Sequence, residues 1–174
     1  GRRSRGLLTL LLLCALCAGF FWWSNHTLEV RTFTFSSPRL PEGFDGCVIV
    51  QLSDLHGALF GEDNRDLVNC VRAAGPDYIF LTGDLQDQYR QTPRSYSVSL
   101  GRSLAEIAPT YFITGNHEWA FPDVPGLKRE LEAAGVTVLS NECTVLERGG
   151  GTLVLAGVDD PNGYADQKTP EALA

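Results

Sequence analysis

Short apolar runs alternate with amphipathic segments along most of this 174-residue chain. Three runs are continuous, as expected of strands covered on both faces: Cys47–Leu52, Tyr78–Thr82 and Thr110–Thr114. Three segments have the apolar spacing of helices: Glu62–Ala74, with Leu67, Val68 and Val71 inward, Ser95–Ile107 and Pro125–Ala134. Further strands are predicted at Leu28–Phe35 and Val136–Leu139, and a hairpin from Thr144–Glu147 and Thr152–Val158. Strands that alternate with helices predict an α/β fold with a mainly parallel sheet and flanking helices.

The N-terminal segment differs from the rest, because residues 6–23 carry no charge. As a helix they would be about 27 Å long, close to the thickness of a bilayer core. Arg2, Arg3 and Arg5 precede the segment, and the aromatic residues 20–23 end it. This pattern predicts a single-pass anchor in the cell membrane, with residues 1–5 as a cytoplasmic basic flank and residues 24–174 on the extracytoplasmic side. A cleaved signal peptide gives the same sidedness; a buried core helix is the third interpretation.

Net charge changes sign after the apolar segment. Residues 1–23 carry +3, while residues 24–174 hold 11 basic and 21 acidic residues, a net charge of −10. An acidic domain of this kind argues against nucleic acid as a partner, because phosphate backbones require basic surfaces. The expected partners are therefore the membrane, through the N-terminal helix, and a small substrate; the oligomeric state is left open.

Polar residues follow each of the three buried strands directly. Asp54 and His56 follow the first, Asp84 the second, and Asn116 and His117 the third. The carboxyl ends of parallel strands lie at one edge of a sheet, where ligands bind, so these side chains are expected to converge.

These residue types suggest metal chemistry. Carboxylate and amide oxygens together with imidazole suit divalent Mn, Fe, Zn or similar ions. Asp54 and His56 are two positions apart on an extended segment, so both can reach one ion. Asp84 has two carboxylate oxygens and could bridge to a second ion.

The ordered motifs Asp54-x-His56, Gly83-Asp84 and Gly115-Asn116-His117-Glu118 resemble those of the calcineurin-like metallophosphoesterase family. The apolar N-terminal segment and the later Gly157-Val158-Asp159-Asp160-Pro161 are similar to its bacterial membrane-associated branch. The resemblance covers about residues 28–161 and implies a two-metal phosphoesterase with an α/β sandwich.

The resemblance also implies roles for single residues. Asp54 and His56 would bind the first metal ion, Asp84 would bridge the two ions, and Asn116 would bind the second. His117 would be the catalytic residue that protonates the leaving group or steadies the phosphate.

Glu118 would orient His117, again by resemblance. The expected substrates are phosphate esters, phosphodiesters or pyrophosphates, including phosphorylated small molecules and lipid-linked or envelope compounds.

The sequence departs from the family pattern at its C-terminal end. The family continues with a further His and a Gly-His-x-His motif, but the only histidines here are His26, His56 and His117. We therefore expect the phosphoesterase domain of residues 24–174 to be truncated at its C-terminus. The alternative is a catalytically incomplete, membrane-tethered domain or fragment without enzymatic activity.

Overall fold

The computed structural model describes residues 2–163 and 168–173, without the side chains of residues 2–5, 7–8, 22–26 and 170–171. The chain divides into two compact units, Gly1–Thr34 and Phe35–Ala174.

The first unit contains one long helix, α1 (Arg2–His26). Seven of its large apolar side chains are exposed: Leu10, Leu11, Leu12, Leu13, Leu16, Phe20 and Phe21. Among the described residues, no helix reaches the length and apolar character required to cross a bilayer. The anchor over residues 6–23 includes positions 7, 8, 22 and 23, which lie outside the described side chains, so it stays a prediction.

The strand predicted at Leu28–Phe35 is wrong. The segment forms no strand, and Val30, Phe33 and Phe35 are exposed. Alternation of apolar and polar residues favours an extended backbone, but a strand also requires a neighbour to bond with.

The second unit is built on a four-stranded parallel sheet with the order β1-β2-β3-β4. The strands are β1 (Ile49–Leu52), β2 (Tyr78–Leu81), β3 (Thr110–Phe112) and β4 (Thr137–Val138). The helices of this unit are α2 (Arg65–Ala74), α3 (Arg94–Ala105), α4 (Asn116–Trp119), α5 (Val124–Ala133) and α6 (Pro170–Leu173). Within residues 35–163 and 168–173, three 3₁₀ helices lie at Glu42–Phe44, Glu62–Asn64 and Pro161–Gly163. The predicted α/β fold, with a parallel sheet and flanking helices, is confirmed.

The two faces of the sheet are covered by different elements. Ile79, Leu81 and Phe112 are buried together with the apolar residues of the helices. On the other face, Phe80 and Tyr111 pack around a cluster of Phe44, Tyr78 and Leu146. Side chains alternate between the faces along each strand, so adjacent residues in β2 and β3 serve two separate parts of the core.

The second face is covered by an antiparallel hairpin of β5 (Glu142–Arg148) and β6 (Gly151–Gly157). Its two-residue turn has φ of 54° at Gly149 and 79° at Gly150. Positive φ at both positions matches the type I′ turn that fits the twist of paired strands. The hairpin expected from the sequence is confirmed; its first strand is longer than the predicted Thr144–Glu147, and its second begins and ends one residue before the predicted Thr152–Val158.

Two other expectations need correction. The run at Cys47–Leu52 was predicted to be covered on both faces, but β1 lies at the end of the strand order, and Ile49 and Gln51 are exposed. The helix predicted at Glu62–Ala74 is interrupted, because Asp63 and Asn64 adopt left-handed φ of 50° and 60° before α2 begins.

We expect Phe112→Ala to lower the free energy of unfolding by about 3–5 kcal/mol, because the side chain is fully buried and its removal leaves a cavity. Phe33→Ala is the matched control, since Phe33 is 87% exposed, and should leave the free energy unchanged. Urea unfolding monitored by circular dichroism measures both. Equal losses in the two variants would contradict the core assigned to β3.

Candidate metal centre

The loops that follow β1 and β2 continue the pairing of the two strands. The backbone N–H of Asp54 donates to the carbonyl of Gly83 at 3.2 Å, and that of His56 donates to the carbonyl of Asp84 at 2.9 Å. The two loops therefore leave the sheet side by side, and their polar residues lie at the same edge of the sheet.

Three residues of these loops adopt an unusual backbone conformation. Asp54, His56 and Asp84 have φ of 56°, 48° and 53°. The left-handed region is unfavourable for residues with a side chain, and such strain persists only where surrounding contacts impose it. Strained residues of this kind are concentrated at functional sites, which agrees with the chemistry of the three side chains.

His56, Asp84 and His117 form one cluster. One ligand atom from each lies within 4.8 Å of the others, and the two imidazole rings meet edge to face with centroids 4.5 Å apart. Two imidazoles and a carboxylate are a donor set that suits Zn, Fe or Mn, so the residues fit a divalent ion. The structure thus groups His117 with two predicted ligands.

Asp54 and Asn116 lie close in the sequence to the cluster residues His56 and His117, and both are exposed. Asp54 is exposed, with Oδ1 3.9 Å from His56 Nε2, and Ser53 Oγ donates to its Oδ2 at 2.6 Å. Asn116 is the exposed first residue of α4, and in the described part of the chain its side chain has no hydrogen bond. The roles of both as metal ligands stay predictions.

Glu118 is fully buried in the middle of the loops. Its Oε2 accepts from the backbone N–H groups of Asp84 and Gly115, each at 2.8 Å, and its Oε1 accepts from that of Gln86 at 3.1 Å. The bond to Gly115 is the capping interaction of a residue at the third position of α4. Glu118 was expected to orient His117, but its described hydrogen bonds all go to the backbone of the two loops.

The same loops touch through glycines. A Cβ at Gly83 would overlap the backbone of Gly115, and a Cβ at Gly115 would overlap Asp84. Gly83 also has a φ of 92°, which disfavours other residues. Only small residues here allow the loops after β2 and β3 to approach closely enough for Glu118 to hold both.

Asp87, three positions beyond Asp84, is a site residue that the motifs in the sequence did not indicate. Its Oδ1 is 3.6 Å from Nδ1 of His117, and the backbone N–H of Gln88 donates to the same nitrogen at 3.3 Å. Its position in the polar segment after β2 was the available signal. Because Nδ1 accepts a hydrogen bond, neutral His117 carries its proton on Nε2.

Opposing effects act on the pKa of the Asp87 carboxyl. Burial raises it, whereas hydrogen bonds from the backbone of Tyr89 and Arg90 lower it. The imidazoles of His117 and His56 lower it further, and the net effect is a pKa below the usual range. Asp87 is therefore an anion beside the His117 ring at neutral pH.

Comparison with known proteins agrees with the geometry. Residues 47–170 match the family model for the calcineurin-like phosphoesterase. Two relatives named "Transmembrane protein with metallophosphoesterase domain" are 34% identical over 127 residues in Danio rerio and 35% identical over 139 residues in Bos taurus. The "Uncharacterized metallophosphoesterase YkuE" of Bacillus subtilis is 31% identical over 143 residues. No solved structure is significantly similar to this chain.

These matches cover most of this chain but a smaller part of the relatives. They include 70%, 75% and 78% of the chain, against 29%, 31% and 49% of the three relatives in the same order. The chain thus spans at most about half the length of these proteins.

We expect Glu118→Gln to lower the free energy of unfolding by about 3 kcal/mol, because the amide group replaces one acceptor with a donor facing backbone N–H groups. Mn²⁺ affinity should fall as well, since Asp84 would lose a backbone contact. Denaturant unfolding and titration calorimetry measure the two effects. Glu132→Gln, an exposed site on α5, is the control; a Glu118→Gln protein as stable as this control would refute the assigned role.

Proposed function

This chain belongs to the calcineurin-like phosphoesterase family, and on that premise we propose that it hydrolyses phosphate esters, phosphodiesters or pyrophosphates with the help of two divalent metal ions. The observation that carries the proposal is the cluster of His56, Asp84 and His117 at the carboxyl edge of the parallel sheet. Family membership supports the reaction class, and the cluster supports a metal site at this edge of the sheet.

Four residues would hold the ions. Asp54 and His56 are assigned to one ion, Asn116 to the other, and Asp84 to both. Asp84 suits this role because its Oδ1 accepts from the backbone N–H of His117 at 2.8 Å, while in the described structure Oδ2 has no hydrogen bond. Paired divalent ions held there would stabilise charge on the phosphoryl oxygens as Lewis acids and would activate water as the nucleophile near neutral pH.

His117 is assigned to the leaving group. Its Nδ1 accepts from the backbone N–H of Gln88, so Nε2 carries the N–H that can donate a hydrogen bond to a phosphate or leaving-group oxygen. Asp87 Oδ1 lies 3.6 Å from Nδ1, so this carboxylate borders the ring at the nitrogen that faces away from the proton. The ring packs edge to face on His56, which limits its rotation.

Membrane association is the second part of the proposal. The uncharged residues 6–23 behind three arginines support a single-pass anchor with the phosphoesterase unit on the extracytoplasmic side. Two vertebrate relatives are named transmembrane proteins, which agrees with such an anchor. An enzyme held there would meet lipid-linked or envelope phosphates, so we include these among its substrates.

We expect the full-length protein to hydrolyse bis-p-nitrophenyl phosphate in the presence of Mn²⁺, and chelation by EDTA to abolish the reaction. Asp84→Asn should lower kcat by at least about 100-fold, because one carboxylate would serve both ions. Release of p-nitrophenol measures the rate. Asp66→Asn, at an exposed acid of α2, is the matched control and should retain the wild-type rate. Activity that survives both EDTA and Asp84→Asn would exclude the proposed reaction.

For the anchor, we expect deletion of residues 6–23 to move the chain from the membrane fraction to the soluble fraction of expressing cells. A reporter fused after residue 163 should be active only on the extracytoplasmic side when the segment is intact. Replacing Arg2, Arg3 and Arg5 by Glu should weaken that orientation. A chain that stays soluble with residues 6–23 present would refute the anchor.

A further inference from the structure

Thr114 links the end of β3 to a second group of buried polar side chains. Its hydroxyl donates to Asp159 Oδ1 at 2.7 Å and accepts from Trp119 Nε1 at 2.8 Å. The backbone N–H of Asp160 donates to the same oxygen at 3.3 Å. A hydroxyl has one donor and two acceptor positions, so the hydrogen-bonding capacity of Thr114 is fully used.

Asp159 is held in turn by Lys128 of α5. Lys128 Nζ lies 2.8 Å from Oδ1 and 2.7 Å from Oδ2 of Asp159, and both side chains are largely buried. Nζ also donates to Ser140 Oγ at 2.8 Å, and Asn141 Oδ1 accepts from the backbone N–H of Asp159 at 3.0 Å. These contacts explain the position of Asp159 in the Asp159-Asp160 motif, to which the proposed reaction gives no role.

The network reaches the candidate metal centre through α4. This helix has four residues and is too short to fix its own orientation. Two consecutive side chains hold it instead: Glu118 binds the loop backbone, and Trp119 binds Thr114. Lys128 Nζ lies 5.2 Å from the centre of the Trp119 ring, so the same ammonium contacts the tryptophan and the aspartate.

We propose that Thr114, held by the Lys128–Asp159 ion pair, is a positioning residue that fixes α4 and thereby places Asn116 and His117 for phosphoester hydrolysis. The inference rests on the proposed function, because it assigns these two residues to a metal ion and to the leaving group. Asn116 and His117 are the first two residues of α4. Thr114 holds the fourth residue of the same helix, Trp119, through a hydrogen bond.

The energetics of the ion pair favour this role. Burying two charges costs desolvation energy that their attraction does little more than offset, so such a pair is weak evidence for stability alone. Its geometric effect is stronger, because a bidentate contact on Asp159 directs the remaining bond of Oδ1 to Thr114. The pair thus restricts where the Thr114 hydroxyl can lie.

The test compares variants of the full chain by calorimetric titration with Mn²⁺ and by hydrolysis of bis-p-nitrophenyl phosphate. Thr114→Val keeps the shape of the side chain and removes the hydroxyl. We expect its Mn²⁺ affinity to fall about 10-fold, and kcat by a similar factor with little change in KM. Thr114→Ser restores the hydroxyl and should restore both values.

Two further variants separate positioning from folding. Trp119→Phe keeps an aromatic ring at this position but removes the indole N–H donor together with part of the ring, and should reproduce the loss seen in Thr114→Val. Lys128→Met should do the same, whereas Arg129→Met, with equal loss of charge at an exposed neighbouring position, should resemble wild type.

The outcomes are distinct. If Thr114→Val lowers the Tm but leaves Mn²⁺ affinity and kcat unchanged, the network is structural and the inference is overturned. Equal impairment of Thr114→Val and Thr114→Ser also overturns it, because the hydroxyl would then be irrelevant. A full-length wild-type protein that neither binds Mn²⁺ nor hydrolyses the ester rejects the proposed function, and the inference with it.

Discussion

The Glu118 carboxylate joins the loop after β2 to the loop after β3 by accepting three backbone hydrogen bonds in a fully buried position. A buried carboxylate is costly unless its oxygens are satisfied, and hydrogen bonds to a charged group contribute about 1.5–3 kcal/mol each. The favourable arrangement therefore exists only when the two loops are in contact. The distance between Asp84 and His117 is therefore set by the backbone hydrogen bonds that Glu118 accepts, together with the bond from the backbone N–H of His117 to Asp84 Oδ1.

This constraint also bears on the strained backbone. Left-handed φ at Asp54, His56 and Asp84 costs about 1–3 kcal/mol per residue. The carbonyls of Gly83 and Asp84 accept from the first loop, and Glu118 accepts from Asp84 itself. The three conformations are thus imposed by one connected set of hydrogen bonds, which is the condition under which local strain can persist.

The sequence predicted those features that local pattern determines. Buried apolar runs identified β2 and β3, and the polar residues directly after the strands identified the edge at which His56, Asp84 and His117 meet. Features that depend on a distant partner were missed. The alternating pattern of residues 28–35 does not reveal that this segment lacks a neighbouring strand. In the same way, the apolar run that forms β1 does not reveal that the strand lies at the end of the sheet. Likewise, Glu118 was predicted to be a site residue, but its predicted partner, His117, was wrong. Every residue except proline has a backbone N–H group, so a sequence does not show which of these groups a buried carboxylate binds.

Among the acids near this edge, hydrogen bonding separates structural carboxylates from available ones. Glu118 is satisfied by backbone N–H groups and Asp159 by Lys128 and Thr114, and both are buried. Asp54 is exposed and accepts from the neighbouring Ser53 hydroxyl through Oδ2 only, and Asp84 uses only one carboxylate oxygen in the hydrogen bonds of the described residues. A cation gains most from oxygens that have no competing donor, since it need not displace an existing bond. Glu118 and Asp159 therefore stabilise the surrounding structure through their hydrogen bonds. Asp54 and Asp84 have carboxylate oxygens that are available to bind a cation.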